Sequence, residues 1–187
     1  MEALFALLKS DANAANALGA LASAIAAVLA LFLSCVSVWI SISASRSQRR
    51  HNELSVRPLA EVTVADYENS LRVKLRNNGS GPMIVIAVTV SDGSNSHESL
   101  IDWMPTLPPN RSWNTFTHAL QRRTLQAGAE IILLELTEYD GEQNFSRCRD
   151  KVRKALTSLT VNVEYMDIYE SVMKPCRKSL SWFGRNL

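Results

Sequence analysis

Four basic side chains in the second half of the chain are of the type that binds anions: Arg122, Arg123, Arg147 and Lys151. The first two are adjacent, and the other two belong to a segment, residues 142–158, in which basic residues outnumber acidic ones. Guanidinium and ammonium groups hold phosphate oxygens through charge-assisted hydrogen bonds. These four residues are therefore candidate contacts for an anionic ligand, and an ordinary solvated surface is the alternative interpretation.

The segment 142–158 also has the period of an amphipathic helix. The apolar residues at helical spacing are Phe145, Cys148, Val152, Ala155, Leu156 and Leu159. The basic residues predicted to face away from them are Arg147, Arg149, Lys151, Arg153 and Lys154. Such a helix either covers one end of a β-domain with a solvated outer face, or lies with its basic face against anionic headgroups.

Motifs of enzymatic chemistry are absent from the sequence: it has no GxSxG, CxxC, HExxH or Walker pattern. The histidines His51, His97 and His118 lack partners at ligand spacing, and three cysteines form neither a disulfide framework nor a metal pattern. We therefore predict no catalytic residue, no metal and no cofactor. Because catalytic groups can converge from distant positions, an enzyme acting on lipid or nucleotide stays as a third hypothesis.

The turn NNGSGP lies between two predicted strands and supplies five structural residues: Asn77, Asn78, Gly79, Gly81 and Pro82. Asn and Gly tolerate positive φ and Pro fixes φ, so we predict a tight turn or bulge whose glycines adopt backbone angles that a Cβ makes costly. A glycine-rich loop also suggests a phosphate cradle, but a cradle is followed by a helix and a strand follows here. The structural role is therefore favoured.

An uncharged apolar segment, residues 18–42, precedes all of these features. As a helix of about 25 residues it would measure roughly 37 Å, against a bilayer core of about 30 Å. Helices in globular cores rarely stay apolar on every face for such a length. We therefore predict one transmembrane helix, with the lipid bilayer as its partner.

Basic residues are concentrated after this segment, at Arg46, Arg49, Arg50 and, further along, Arg57. The positive-inside bias then predicts an N-terminus outside and a C-terminal side in the cytoplasm. Trp39 and the first three arginines are expected at the membrane interface, as an aromatic belt and a collar that faces the headgroups.

Small residues recur along one face of the predicted transmembrane helix, at steps of three or four. They are Gly19, Ser23, Ala26, Ala30, Ser34, Ser37 and Ser41. Small side chains let two helix backbones approach in lipid, and serine hydroxyls can bond across the interface. We therefore predict a homo-oligomer that forms through this face.

The chain divides into an N-terminal extracytoplasmic segment 1–17, a transmembrane helix 18–42, a basic juxtamembrane linker 43–57 and a cytoplasmic domain 58–187. In the domain, alternating apolar and polar residues predict strands, among them short ones around Leu100–Met104 and Ser112–Leu120. The tail 182–185 is expected to be a strand end or an interfacial anchor. About seven short strands and one late amphipathic helix predict a mainly-β, antiparallel sandwich.

Three segments stand out as motifs: RRHNELSVRP after the apolar run, LRVKLRNNGSGP in the first part of the domain, and LTVNVEYMDIYE near the end. In these segments the chain resembles a large group of uncharacterised bacterial single-span inner-membrane proteins. The resemblance implies an N-terminal anchor, an immunoglobulin-like β-sandwich and a location in the bacterial inner membrane. It implies no activity and no catalytic residues, and Met83 stands where such proteins usually have Ala.

These features favour a membrane-anchored, non-enzymatic binding or interaction module on the cytoplasmic face, with a protein or a small molecule as partner. The alternative is an oligomeric, ligand-gated membrane effector of the kind used in bacterial defence, whose domain senses a small ligand such as a nucleotide. A net charge of +2 gives no basic field for nucleic acid, which is not expected as a partner.

Overall fold

One long helix, α1 (Glu2–Ser55), forms the N-terminal part of the protein. The structure is a computed structural model that describes residues 2–187, with the side chains of residues 12–185 and 187. From Ala12 onward, α1 is exposed and reaches a mean hydropathy of 2.5, so the helix is long and apolar enough to cross a membrane.

The helix does not stop at the end of its apolar segment. The basic linker 43–57 is helical as far as Ser55, and the first residue that cannot continue a helix is Pro58. The chain forms two compact units, Met1–Asn52 and Glu53–Leu187. The last turn of α1 therefore belongs to the second unit, which also holds all the strands.

Nine strands, all paired antiparallel, form two sheets in the second unit. The strands are β1 Ala60–Asp66, β2 Ser70–Asn77, β3 Met83–Ser91, β4 Ser96–His97, β5 Thr115–Phe116, β6 Thr124–Leu125, β7 Glu130–Thr137, β8 Thr160–Met166 and β9 Cys176–Ser179. The first sheet has the order β1-β2-β7-β5, and the second has the order β4-β3-β8-β9 with β6 on β3. A long apolar N-terminal helix followed by a mainly-β, antiparallel part is thus confirmed.

The hydrophobic core lies between residues that alternate along these strands, as a period of two requires. Leu71, Val73 and Leu75 of β2 are fully buried, while the residues between them are partly exposed. Val161 and Val163 of β8 repeat this pattern in the second sheet. The buried residues of both sheets belong to one hydrophobic cluster, so the two sheets share a core.

The two strands predicted in the middle of the domain are mostly wrong. Residues 100–104 contain a 3₁₀ helix, Ile101–Trp103, instead of a strand. Within 112–120 only Thr115–Phe116 pairs in a sheet. Pro105, Pro108 and Pro109 lie between these segments, and proline cannot donate to a strand ladder.

The C-terminal tail is neither a strand end nor an exposed anchor. It forms a 3₁₀ helix, Ser181–Asn186, whose Phe183 is completely buried. The neighbouring Trp182 is partly buried and stacks against Arg185, whose guanidinium carbon lies 3.4 Å from the centre of its ring. The tail therefore closes the core of the domain.

The turn between β2 and β3 is hydrogen-bonded to the end of α1 and to the segment that follows it. The amide of Ser80 donates to the carbonyl oxygen of Arg57 at 3.2 Å, and the amide of Asn78 donates to that of Leu59 at 2.8 Å. The hydroxyl of Ser80 also donates to the carbonyl oxygen of Ser55, at the end of the helix. Together these contacts form a joint between the end of α1 and the turn.

Asn77 holds the joint together from inside the domain, where it is completely buried. Its side-chain oxygen accepts the amides of Leu59 and Gly79 at 3.2 and 3.0 Å. Its side-chain nitrogen donates to three carbonyl oxygens, those of Gly81, Leu125 and Gln126, at 2.8 to 3.2 Å. One asparagine thus links β2, the turn, the strand β6 and the segment that follows α1.

The glycines of this turn are required for a different reason from the one predicted. Glycines with positive φ lie elsewhere among the described residues, at positions 93, 128 and 141. A Cβ on Gly81 would overlap the carbonyl oxygen of Val56, and a Cβ on Gly79 would overlap the backbone of residues 57–59. The expectation of positive φ is therefore wrong, and close approach of two backbones takes its place.

Candidate functional site

The late helix, α2 (Phe145–Thr157), carries most of the basic residues that the sequence singled out. Phe145, Cys148, Val152 and Leu156 recur at intervals of three or four and are buried against the sheets. The helix ends at Thr157 with Ser158 as its C-cap, and β8 begins at Thr160. This packing fixes which of the basic side chains point to solvent.

Arg153 is not on the solvent face, and the prediction that it faces outward is wrong. Its side chain is only 6% exposed, and its guanidinium holds the carboxylate of Asp66, which has no exposed area, at 2.7 and 3.0 Å. A third hydrogen bond, of 2.9 Å, joins the guanidinium to Asp150. A carboxylate buried at the end of β1 needs a cationic partner, and that need turns Arg153 inward.

Arg149 is also held by the domain. Its guanidinium donates to the backbone carbonyl of Glu68, and it lies 5.9 Å from the centre of the Phe145 ring. A weaker contact of 3.4 Å reaches Asp150. The two arginines therefore connect α2 to the end of β1 and to the loop that follows it.

The other basic residues of α2, Arg147, Lys151 and Lys154, form an exposed stripe along the helix. Their spacing of four and three residues places them on one face. Within the part of the chain that the structure describes, no acidic side chain or carbonyl oxygen pairs with any of the three. Asp150, the acidic residue of the helix, is occupied by the two inward-facing arginines.

A cleft of about 330 Å³ opens beside this stripe. Its lining residues are Pro105, Thr106, Leu107, Pro108, Asn144, Arg147, Cys148 and Lys151. Arg147 and Lys151 lie on its helical wall, whereas Lys154 is one turn further along and does not line it. The cleft thus offers two unpaired cations, two polar side chains and an apolar wall.

Arg111 fixes the loop that forms the opposite wall. Its side chain is 4% exposed, bonds to Glu142 at 2.6 Å and donates to the carbonyl oxygen of Thr137. Its guanidinium carbon also lies 4.1 Å from the centre of the Tyr139 ring. The loop after residue 108 is thus fastened to the end of β7 and the approach to α2.

The floor of the cleft includes a thiol that adds no charge. Cys148 is 6% exposed, and burial raises the pKa of its thiol above the ordinary value. The thiol therefore stays protonated at neutral pH, which makes it a poor nucleophile and a poor metal ligand. Its part in the cleft is that of a small apolar residue.

Arg122 and Arg123 lie elsewhere. They are exposed in the loop before β6, where the amide of Arg122 donates to the carbonyl oxygen of Val85 and the amide of Val85 donates to that of Arg123. Arg122 has a φ of 60°. Neither arginine lines the cleft, so the structure separates the four candidate anion contacts into two places.

A cluster of serine, histidine and aspartate escaped the sequence interpretation because its members are not at motif spacing. The hydroxyl of Ser99 donates to Asp102 at 2.8 Å and lies 3.2 Å from Nδ1 of His118. In a hydrolytic triad the histidine lies between the other two groups, whereas here the serine contacts the carboxylate directly. Ser99 is also 2% exposed, so the cluster connects two loops and does not present a nucleophile.

The predicted membrane residues all lie on α1 and are exposed along it. Ser23 donates to the carbonyl oxygen of Gly19 and Ser37 to that of Leu33, both at 2.8 Å. These two hydroxyls are thus hydrogen-bonded within their own helix. In a contact with a partner helix, the two serines would contribute mainly through their small size. The other members of the predicted face are Ala26, Ala30, Ser34 and Ser41, and the predicted interface residues are Trp39, Arg46, Arg49 and Arg50.

Comparison with known proteins places both parts of the molecule in one family. No curated protein and no solved structure matches the chain. One family model matches residues 17–182, which include the apolar helix, the joint, both sheets and α2. The chain belongs to that family, described as Domain of unknown function (DUF8453).

Proposed function

We propose that the protein is a non-enzymatic binding module held by α1, as a single span, on the cytoplasmic face of the bacterial inner membrane. The observation that carries the proposal is the joint between the end of α1 and the turn 77–82. The turn is bonded through its backbone to residues 57 and 59, which follow α1, and through the hydroxyl of Ser80 to Ser55, so no unbonded linker separates the strands from the end of α1.

The family match supports treating the two parts as one functional unit. It begins one residue before the apolar segment and ends in the C-terminal 3₁₀ helix. Two antiparallel sheets with one core also support an immunoglobulin-like sandwich, an architecture whose end loops and exposed edges commonly bind partners. The α2 cleft lies among such connecting segments, beside the loop 105–108.

Orientation is tested by protease accessibility. In intact spheroplasts, protease added outside should spare residues 58–187, because the arginines after the apolar segment keep that side in the cytoplasm. After lysis the same domain should be digested at its exposed loops. Digestion in intact spheroplasts would overturn the cytoplasmic location.

A ligand-gated membrane effector is the second candidate, because unpaired cations in the α2 cleft suit an anionic signal such as a nucleotide. The small residues along α1 would then form the oligomer that acts on the membrane. Melting of the full chain in detergent, with and without a panel of nucleotides, separates the two functions, because a specific ligand raises the melting temperature by mass action. A nucleotide that raises the melting temperature and also induces leakage of reconstituted vesicles would favour the effector.

A further inference from the structure

We propose that the cleft between α2 and residues 105–108 binds the phosphate group of a phosphate ester, with Arg147 and Lys151 as its two cationic contacts. This inference rests on the proposed binding role and names the chemistry of the ligand. It applies to the pair that lines the cleft and excludes Arg122 and Arg123, which lie before β6.

The charged side chains that line the cleft are all positive. Arg147 and Lys151 are exposed, and no group among the described residues neutralises them. None of the described residues that line the cleft is acidic, and the thiol of Cys148 is held neutral because burial raises its pKa. An anion that enters the cleft therefore meets two cations on its wall, and the nearby carboxylate of Glu142, which acts on Cys148, is paired with Arg111 at 2.6 Å.

The spacing of the two cations suits phosphate. Residues four apart on a helix have Cβ atoms about 6 Å apart, so both side chains can reach different oxygens of one phosphate group. The guanidinium of Arg147 can bind two oxygens in parallel, and the ammonium of Lys151 supplies a point charge. A carboxylate has only two oxygens and would leave one cation less well satisfied.

The remainder of the cleft fits the organic part of an ester. A volume of about 330 Å³ lies at the lower end of the range for small-molecule pockets. Leu107 and two prolines supply an apolar wall, while Thr106 and Asn144 supply hydrogen-bonding groups. A simple inorganic anion would leave this wall uncovered, and an ester would cover it.

Two sources can supply this chemistry: the headgroup of a phospholipid and a soluble phosphate ester. Lys154 provides the control that separates a defined site from general attraction to a charged surface. It has the same charge and lies on the same face, but it is outside the cleft. Removal of its charge weakens a diffuse electrostatic surface as much as removal of Lys151, and leaves a cleft site almost unchanged.

The experiment follows hydrogen–deuterium exchange of the peptides that cover residues 105–108 and 144–151 in the full chain, in maltoside detergent micelles and in nanodiscs. The first arm adds inorganic phosphate or, separately, glycerol 3-phosphate to the micelles, which contain no phosphate of their own, at constant ionic strength. The second arm uses nanodiscs of phosphatidylcholine and phosphatidylglycerol and adds no soluble phosphate. Stronger protection by glycerol 3-phosphate than by inorganic phosphate identifies a soluble ester as the source, equal protection by the two anions would contradict an ester, and protection only in the second arm identifies a headgroup.

Arg147→Gln and Lys151→Gln should each weaken the protecting interaction about tenfold, the effect of losing one charge-assisted hydrogen bond. Lys154→Gln should change it less than about twofold. Thr106→Trp, which fills the cleft from the opposite wall and removes no charge, should abolish it. Unchanged melting temperatures of all four variants show that they are folded.

Equal losses in the Lys154 and Lys151 variants would overturn the proposal in favour of a diffuse surface, as would the absence of protection in both arms. Binding that survives Thr106→Trp would also overturn it. The proposed anchoring role is tested separately by protease accessibility, so failure of one is distinguishable from failure of the other.

Discussion

The turn 77–82 and the α2 cleft both contain residue types that bind anions, but the structure uses their polar groups in opposite ways. In the turn, the amides of Asn78, Gly79 and Ser80 already donate to protein oxygens. In the cleft, the cations of Arg147 and Lys151 have no protein acceptor among the described residues. A glycine-rich segment is therefore not a phosphate site when its donors are used, whereas a short basic stripe can be one.

Within α2, Arg153 is paired with a protein group and Arg147 is not. Removing the charge of Arg153 gives the largest expected effect on the free energy of unfolding. Arg153→Gln should lower the free energy of unfolding by about 3 kcal/mol, because it removes the cation that is hydrogen-bonded to the buried carboxylate of Asp66. Arg147→Gln should change the free energy of unfolding by less than about 0.5 kcal/mol, since its side chain is exposed and unpaired. Urea unfolding of the full chain in detergent, followed by tryptophan fluorescence, measures both. Equal losses of unfolding free energy in the two variants would show that the buried and the exposed arginine contribute alike to stability, which contradicts the prediction.

The turn can be tested by adding single methyl groups. Gly81→Ala should destabilise the domain by about 2–3 kcal/mol, because the new Cβ overlaps the backbone of Val56 and forces the joint apart. Gly93→Ala is the control: its φ is positive but no atom lies near the added carbon, so only backbone strain of about 1 kcal/mol is expected. A cost at Gly81 no larger than the cost at Gly93 would contradict the explanation by close approach of two backbones. The same urea experiment applies.

Local patterns predicted the parts of the fold that depend on local sequence. The apolar segment, the alternation in β1, β2 and β8, the apolar runs of β3 and β7, and the helical period of α2 are each visible within one element. The short strands β4, β5 and β6 are not, because two-residue pairings are set by neighbours distant in sequence. Proline positions between residues 105 and 109 were the available signal against long strands there.

The sequence predicted which residue types form the candidate site, but not which groups those side chains contact. Helical spacing identified Arg147 and Lys151, yet it placed Arg153 on the same solvated face. That error arises because Asp66, which turns Arg153 inward, is far from it in sequence. The prolines of the loop 105–108 indicate a turn but not its position beside α2, so the second wall of the cleft could not be foreseen.

The predicted association of α1 depends on close packing of its small residues. Ala26→Leu with Ala30→Leu should weaken self-association by about 1 kcal/mol, because larger side chains separate the two backbones. Val28→Leu changes size on another face and should have little effect. Energy transfer between labelled full chains in vesicles measures the association. Chains that are monomeric before any substitution would contradict the prediction.

The smallest expected effect concerns Ser80, the member of the turn whose side chain meets the end of α1. Its hydroxyl donates to the carbonyl oxygen of Ser55, one of the carbonyls that a helix leaves without an internal partner. Both residues are exposed, so water can replace the hydroxyl, and Ser80→Ala should cost only about 0.5 kcal/mol.

Ser94→Ala, in an exposed turn where only the backbone amide of Ser94 is bonded, is the matched control and should be silent. The hydrogen–deuterium exchange experiment also tests the comparison between the turn 77–82 and the α2 cleft. Because the amides of residues 78–80 are already bonded, phosphate should not slow their exchange in either protein, while it protects residues 144–151. The opposite result would be that phosphate protects the turn, and that this protection is lost in Ser80→Ala and kept in Ser94→Ala. The turn would then be the anion site, and the assignment of that site to the α2 cleft would be wrong.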